Sequence, residues 1–104
     1  MDDKEYQMIF FDGVESLENK NYKKAQMLFA ECYLKRKNLR TNFFLFQACY
    51  GQYDFKEASR LADEYLIEYL TDNKKFELLI RARMMAEDVI GTYKLYLQVS
   101  TYMN

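Results

Sequence analysis

Two segments of this chain share one sequence pattern and begin about 33 residues apart. The first reads NYKKA at positions 21–25 and the second reads DFKEA at positions 54–58. Each places an aromatic residue three positions before an alanine, at the start of an amphipathic stretch. Repetition at this period is typical of helical hairpins that stack on one another, bury a core between neighbours and leave a surface free for partners. The repeat therefore predicts an all-α fold that works by binding.

Residues that interrupt helices are rare in the chain. It has no proline and three glycines among 104 residues, so we expect long helices separated by tight turns. Half of the residues are hydrophobic and 17% are aromatic, which is enough for the core of one small domain. We therefore predict a single α-helical domain over positions 1–104.

The apolar residues recur at helical spacing and divide the chain into two hairpins followed by a C-terminal segment. The first hairpin covers 4–37 and the second covers 41–71. The predicted helices lie at about 4–18, 22–37, 41–52 and 55–71. Asp2 or Asp3 is the expected N-cap of the first helix, and Asp54 with Glu57 forms the capping-box pattern of the fourth.

The C-terminal segment, 74–103, is predicted to be a capping helix and a tail. Its helix runs from Lys74 to about Ile90. Gly91-Thr92 either ends this helix before a short terminal one, or lies inside a continuous helix at a cost of about 1 kcal/mol.

The first hairpin resembles the tetratricopeptide repeat, a helix-turn-helix unit of about 34 residues. Tyr22, Ala25, Phe29 and Cys32 match the aromatic, small, aromatic and small positions in the second helix of that family's unit. Gly13 falls on the small position of the first helix, and this implies a close approach of the two helices.

The second hairpin resembles the same family. Phe55, Ala58 and Ala62 match it, whereas Tyr65 stands where the family usually has a small residue. The resemblance implies a right-handed superhelical array of antiparallel hairpins, with about two repeats and a C-terminal capping helix.

The resemblance also implies that the first helix of each unit lines a concave groove that binds a partner. The implied groove residues are Gln7, Phe10, Val14, Leu17, Arg40, Phe43, Gln47 and Tyr50. Such a groove would be apolar and aromatic, and suited to an amphipathic helix or an extended hydrophobic segment of another protein. The alternative is that Phe10 and Phe43 are ordinary core residues.

Residue types that carry catalysis are mostly missing. The chain has no histidine, and no phosphate-binding glycine loop or zinc-ligand spacing is present. Glu64 and Glu68 could hold a cation, but such a pair is more often a solvated acidic face. Cys32 and Cys49 fall in different predicted helices and are read as buried, reduced thiols rather than a disulfide. We predict no enzyme activity, no catalytic or metal-binding residue and no cofactor.

The strongest basic cluster comprises Lys35, Arg36, Lys37 and Arg40. It could contact phosphates or an acidic partner. The alternative is a helix C-terminus, where cations favour the negative end of the helix dipole. Because acidic and basic residues nearly cancel over the chain, its net charge disfavours nucleic acid as a partner.

The sequence also predicts the compartment. Its longest apolar runs are too short to span a membrane, and the acidic N-terminus does not resemble a secretory signal. We therefore expect a cytoplasmic or nucleo-cytoplasmic protein with no signal peptide or transmembrane segment.

The predicted function is a non-enzymatic protein-protein interaction module. One alternative is an oligomeric scaffold or an obligate subunit of a larger complex. Another is a secretion chaperone of the tetratricopeptide type, because Gly51-Gln52-Tyr53-Asp54 resembles a turn of bacterial translocator chaperones. So short an array leaves apolar side chains to be covered by a homodimer or a hetero-complex. The side chains expected to be uncovered are Met84, Met85, Tyr96 and Tyr102.

Overall fold

The computed structural model describes residues 2–86 and 89–102. The side chains of Val89 and Tyr102 lie outside this description, as does residue 103 of the predicted tail. The described residues form seven helices and no strand, which confirms the all-α prediction. The helices are α1 (Asp3–Glu18), α2 (Tyr22–Lys35), α3 (Leu39–Gly51), α4 (Phe55–Asp63), α5 (Leu66–Thr71), α6 (Asn73–Met85) and α7 (Val89–Tyr102).

Side-chain N-caps fix where several helices begin. Asp2 rather than Asp3 caps α1, since its carboxylate accepts a hydrogen bond from the Glu5 N–H at 2.8 Å. The Asn38 side chain accepts from the Thr41 N–H at 2.9 Å, so α3 begins at Leu39, two residues earlier than predicted. The helix predicted over 22–37 ends at Lys35 instead.

The chain forms two compact units, Met1–Asp54 and Phe55–Asn104. In the first unit α2 runs antiparallel to α1, because Arg36 forms an ion pair with Asp3 at one end and the Asn21 N–H bonds to the Ser16 carbonyl at the other. Helix α3 runs antiparallel to α2 and therefore parallel to α1.

Three phenylalanines from the three helices meet in the core of the first unit. The Phe10 ring lies 5.6 Å from Phe29 and 5.3 Å from Phe44 between centroids, edge to face in both cases. Phe29 and Phe44 stack at 5.2 Å. Such pairs stabilise a core beyond the area that they bury.

Two glycines allow the helices of this unit to approach closely. A Cβ atom at Gly13 would lie 2.7 Å from Cε1 of Phe29, which confirms the close approach expected between α1 and α2. A Cβ atom at Gly51, at the end of α3, would lie 2.3 Å from Cδ1 of Tyr22. Gly13 and Gly51 therefore each make room for an aromatic ring of α2.

The turns after α1 and α3 have the same backbone geometry. Lys20 and Tyr53 have positive φ angles of 61° and 64°, in the left-handed region. After α1, the Asn21 N–H donates to the Ser16 carbonyl at 2.8 Å and the Lys20 N–H to Leu17 at 3.0 Å. The corresponding donors after α3, Asp54 and Tyr53, donate to Cys49 and Tyr50, both at 3.0 Å. Both ends are Schellman motifs, and the repeat therefore extends from the sequence into the turns.

The prediction of a single helix over 55–71 is wrong, because two helices, α4 and α5, cover this range. The N–H groups of Glu64 and Tyr65 donate three residues back, to Leu61 at 3.2 Å and Ala62 at 3.0 Å, so the helical bonding is interrupted there. The break falls at Tyr65, a bulky residue that is half-buried.

The C-terminal prediction also needs correction. Helix α6 ends at Met85, before Ile90, and its last turn is followed by Ala86 as C-cap. Gly91 and Thr92 lie inside α7 and neither end nor begin a helix. Because Thr92 is buried and the backbone of Gly91 stays helical, tertiary packing overrides the weak helix propensity of this pair.

Candidate functional site

The groove residues predicted on α1 differ in their exposure. Gln7 is exposed, whereas Val14 and Leu17 are half-buried. Phe10 is only 5% exposed and packs among the rings of the aromatic core, so the core alternative holds for this residue.

The groove residues predicted on α3 lie along one helical stripe. Arg40 is exposed, and its guanidinium carbon lies 4.3 Å from the centroid of the Phe10 ring, which brings these two predicted residues together. Phe43, Gln47 and Tyr50 are half-buried, and the Gln47 side chain donates to the Phe43 carbonyl at 3.3 Å. This stripe thus presents a partly covered surface between Arg40 and Tyr50.

The predicted basic cluster is arranged over aromatic rings. Arg36 forms its ion pair with Asp3, and its guanidinium carbon lies 4.6 Å from the Tyr6 centroid. The Lys37 ammonium lies 5.6 Å from the centroid of Tyr33. Together with Arg40 over Phe10, these contacts are cation–π interactions, each worth roughly 0.5–1 kcal/mol at an exposed site. Lys35 is exposed in the last turn of α2.

Both cysteines are buried thiols outside any disulfide, as predicted. Burial raises the pKa of the Cys32 thiol, and the neighbouring Glu31 carboxylate adds to this effect while Arg40 opposes it. A raised pKa keeps the thiol protonated and poorly nucleophilic. Among the described residues, no group of three or more cysteine or acidic side chains could hold a metal ion.

An exposed apolar surface of the second unit lies on α6 and α7. A cleft of about 400 Å³ is lined by Met84, Thr92, Tyr93 and Tyr96. Thr92 is buried, whereas Met84, Tyr93 and Tyr96 are 61%, 64% and 53% exposed. The exposure predicted for Met84, Met85 and Tyr96 is confirmed.

Three further exposed residues of this surface escaped prediction. Ile90, Tyr93 and Leu97 recur at i, i+3 and i+7 of α7, and each is more than half exposed. The sequence does carry a signal for them, because α7 has one charged residue, Lys94, among its 14 residues. We define the α6–α7 face as the six exposed apolar side chains of this region: Met84, Met85, Ile90, Tyr93, Tyr96 and Leu97.

One edge of the face is fixed by packing. The Tyr96 ring meets Phe76 of α6 edge to face, with centroids 6.1 Å apart. Leu95, 3% exposed, anchors the opposite side of α7 in the core. The face is therefore presented by a helix that is already held in place.

Within the described part of the chain, every helix is too short or too polar to cross a membrane.

No protein-family model, curated protein or solved structure matches this chain.

Proposed function

We propose that this chain is a non-enzymatic protein-interaction module and that its α6–α7 face binds an apolar segment of a protein partner. One observation carries the proposal: Met84, Tyr93 and Tyr96, each more than half exposed, line one cleft, and the equally exposed Ile90 and Leu97 share a helical stripe of α7 with Tyr93. Exposed apolar residues scattered singly need no explanation, but a contiguous patch is typical of an interaction site.

The composition of the face fits a protein segment as its ligand. Methionine side chains adapt to different partners because they are unbranched and flexible. Tyrosines offer a broad apolar ring and a hydroxyl at its edge, and they are enriched at protein interfaces. A ridge of side chains from an amphipathic helix, or an extended hydrophobic segment, could insert along the cleft between α6 and α7.

We also propose that α1 and α2 form a tetratricopeptide-like hairpin. Three features of the first unit support this proposal. Helices α1 and α2 are antiparallel and in close contact at Gly13. Ala25, at the small position of α2, is fully buried. Schellman turns with a left-handed residue follow both α1 and α3 at the repeat period.

The predicted groove on α1 and α3 is a second candidate surface. Arg40, Phe43, Gln47 and Tyr50 keep part of their surface accessible along α3. Because the burial of Phe10 removes the central aromatic residue of α1 from this groove, we rank it after the α6–α7 face.

Affinity capture with the full chain as bait tests the proposal. Tyr93→Glu should lose the proteins that the wild type retains, since a carboxylate in an apolar interface must be desolvated. The matched control is Leu34→Glu, which places the same charge at an exposed leucine of α2. Retention of the same proteins by Tyr93→Glu, with its helical circular dichroism unchanged, would refute binding at the α6–α7 face.

The same capture separates the two candidate surfaces. If Phe43→Ala and Tyr50→Ala release the partners while Tyr93→Glu keeps them, the groove on α1 and α3 is the binding surface. The helical signal of each variant must first match that of the wild type, because both groove residues are half-buried.

A further inference from the structure

We infer that a second copy of this chain covers the α6–α7 face, so that the protein is a homodimer joined through α7. The inference rests on the proposed function, because it names the partner of the same face. A two-fold dimer presents the same patch on both copies, and residues of one face then contact those of the other.

The first argument is the exposed apolar stripe of α7. One side of the helix packs inward through Thr92 and Leu95, both buried. The opposite side carries Ile90, Tyr93 and Leu97, each more than half exposed. The helix also has exposed polar side chains, but this stripe faces solvent where an amphipathic helix normally presents polar residues. An apolar stripe left exposed in this way is typical of an interaction site.

The second argument is area. Each side chain of the face is more than half exposed, which leaves on the order of 100 Å² for each of them, taking 150–250 Å² as the area of a large side chain. The face then offers roughly 600 Å² per copy, or roughly 1,200 Å² when two copies meet. This total reaches the lower limit for a specific protein–protein interface.

The third argument is charge. Pairing a surface with itself about a two-fold axis brings a charge near that axis close to its identical counterpart, and like charges repel. Lys94, the one charged residue of α7, follows Ile90 by four residues and precedes Leu97 by three, so it lies at the border of the Ile90–Tyr93–Leu97 stripe. On the neighbouring α6, Arg81 is paired with Glu77 at 2.6 Å, and Arg83 is paired with Asp63 of α4 at 2.5 Å. The face can therefore meet its own copy without uncompensated repulsion at its centre.

The aromatic residues make the self-contact specific. Tyr93 and Tyr96 project rings that can meet their counterparts edge to face or offset, geometries worth roughly 0.5–1.5 kcal/mol per pair beyond the area buried. The cleft beside them, lined also by Met84, can accept a side chain of the facing α7.

Sedimentation velocity of the full chain over a range of concentrations tests the inference. We expect the wild type to sediment as a dimer, and Tyr93→Glu and Leu97→Glu to weaken association about 30-fold or more, as loss of a central interface residue does. Leu34→Glu should remain dimeric. Since a charged residue could also unfold the second unit, Tyr93→Ser serves as a milder variant, and circular dichroism checks the fold of each.

Two results would overturn the homodimer: a wild-type monomer at the highest concentration, or a Tyr93→Glu variant that is as dimeric as the wild type. The result is independent of the capture experiment. A monomer whose captured proteins are lost in Tyr93→Glu shows that the face binds another protein and not its own copy. If Tyr93→Glu dissociates the dimer but still captures the other proteins, the homodimer is upheld and a different partner at this face is refuted.

Discussion

Replacing Gly13 by alanine should destabilise the first unit, although alanine is the better helix former. In an open helix the exchange gains about 1 kcal/mol. At Gly13 the added methyl group would lie 2.7, 2.9 and 3.0 Å from three atoms of the Phe29 ring. These separations are well below ordinary van der Waals contact, so the ring or the helix must move.

The Phe29 ring has little freedom to give way. Its side chain is fully buried, and it stacks on Phe44 at 5.2 Å while meeting Phe10 at 5.6 Å. Overpacking of a well-packed core costs about 1–3 kcal/mol, and the clash at Gly13 belongs at the upper end of this range. After the gain in helix propensity is subtracted, the free energy of unfolding should fall by about 1–2 kcal/mol.

Urea titration of the full-length protein, followed by far-ultraviolet circular dichroism, measures this change. A double-mutant cycle with Phe29→Leu isolates its cause, because a smaller side chain at 29 removes the atoms that the new methyl group meets. Gly13→Ala should then be neutral or stabilising in the Phe29→Leu background. If Gly13→Ala stabilises the protein that carries Phe29, the close packing of α1 on α2 is not as described.

Two further perturbations address the turns and the caps. Lys20→Gly should raise the free energy of unfolding by about 0.5 kcal/mol, because relief of the left-handed backbone outweighs the greater freedom of glycine in the unfolded chain. Tyr53→Gly, at the equivalent position, should raise thermal stability likewise. A loss of stability in both variants would refute backbone strain at these positions. The hydrogen bond from the Lys75 backbone N–H holds the pKa of Asp72 below its ordinary value. Asp72 therefore stabilises α6 fully above the ordinary pKa, and this stabilisation is lost as pH falls through the lowered pKa. Asp72→Asn keeps a capping oxygen but removes the titrating carboxylate. Below about pH 4, the melting temperature of this variant should fall less steeply with decreasing pH than that of the wild type. An identical dependence of melting temperature on pH would contradict the role of Asp72 as a cap.

Local signals in the sequence predicted much of the fold. Asp2 is recognisable as an N-cap, and the α2 stripe of Tyr22, Ala25 and Phe29 follows helical periodicity. The first two features depend on residues within one or two turns of each other. The close approach at Gly13 was expected from the resemblance of the first hairpin, which places a small residue at that position.

The features that escaped prediction depend on tertiary packing. The left-handed turns are occupied by Lys20 and Tyr53 instead of glycine, so composition gives no sign of them. The break at Tyr65 falls within a stretch whose apolar residues keep helical spacing, so periodicity gives no sign of it. Tyr93 is exposed because the opposite side of α7 packs inward. Periodicity could not predict which side packs inward, since both sides carry apolar residues.

The polar bonds between α3 and the other helices of the first unit affect how that unit folds. Tyr6 of α1 bonds to the Thr41 hydroxyl at 3.0 Å, and the Asn42 amide of α3 donates to the Tyr33 hydroxyl of α2 at 3.1 Å. Thr41 and Asn42 are fully buried. Because both residues belong to α3, as does Phe44, a hairpin of α1 and α2 alone lacks these two bonds and the Phe44 ring. On the ribosome the first two helices should therefore gain lasting order only after α3 has emerged. We therefore expect the smallest cooperative folding element of the first unit to be three helices rather than one hairpin, and a truncation after α2 to remain largely unfolded.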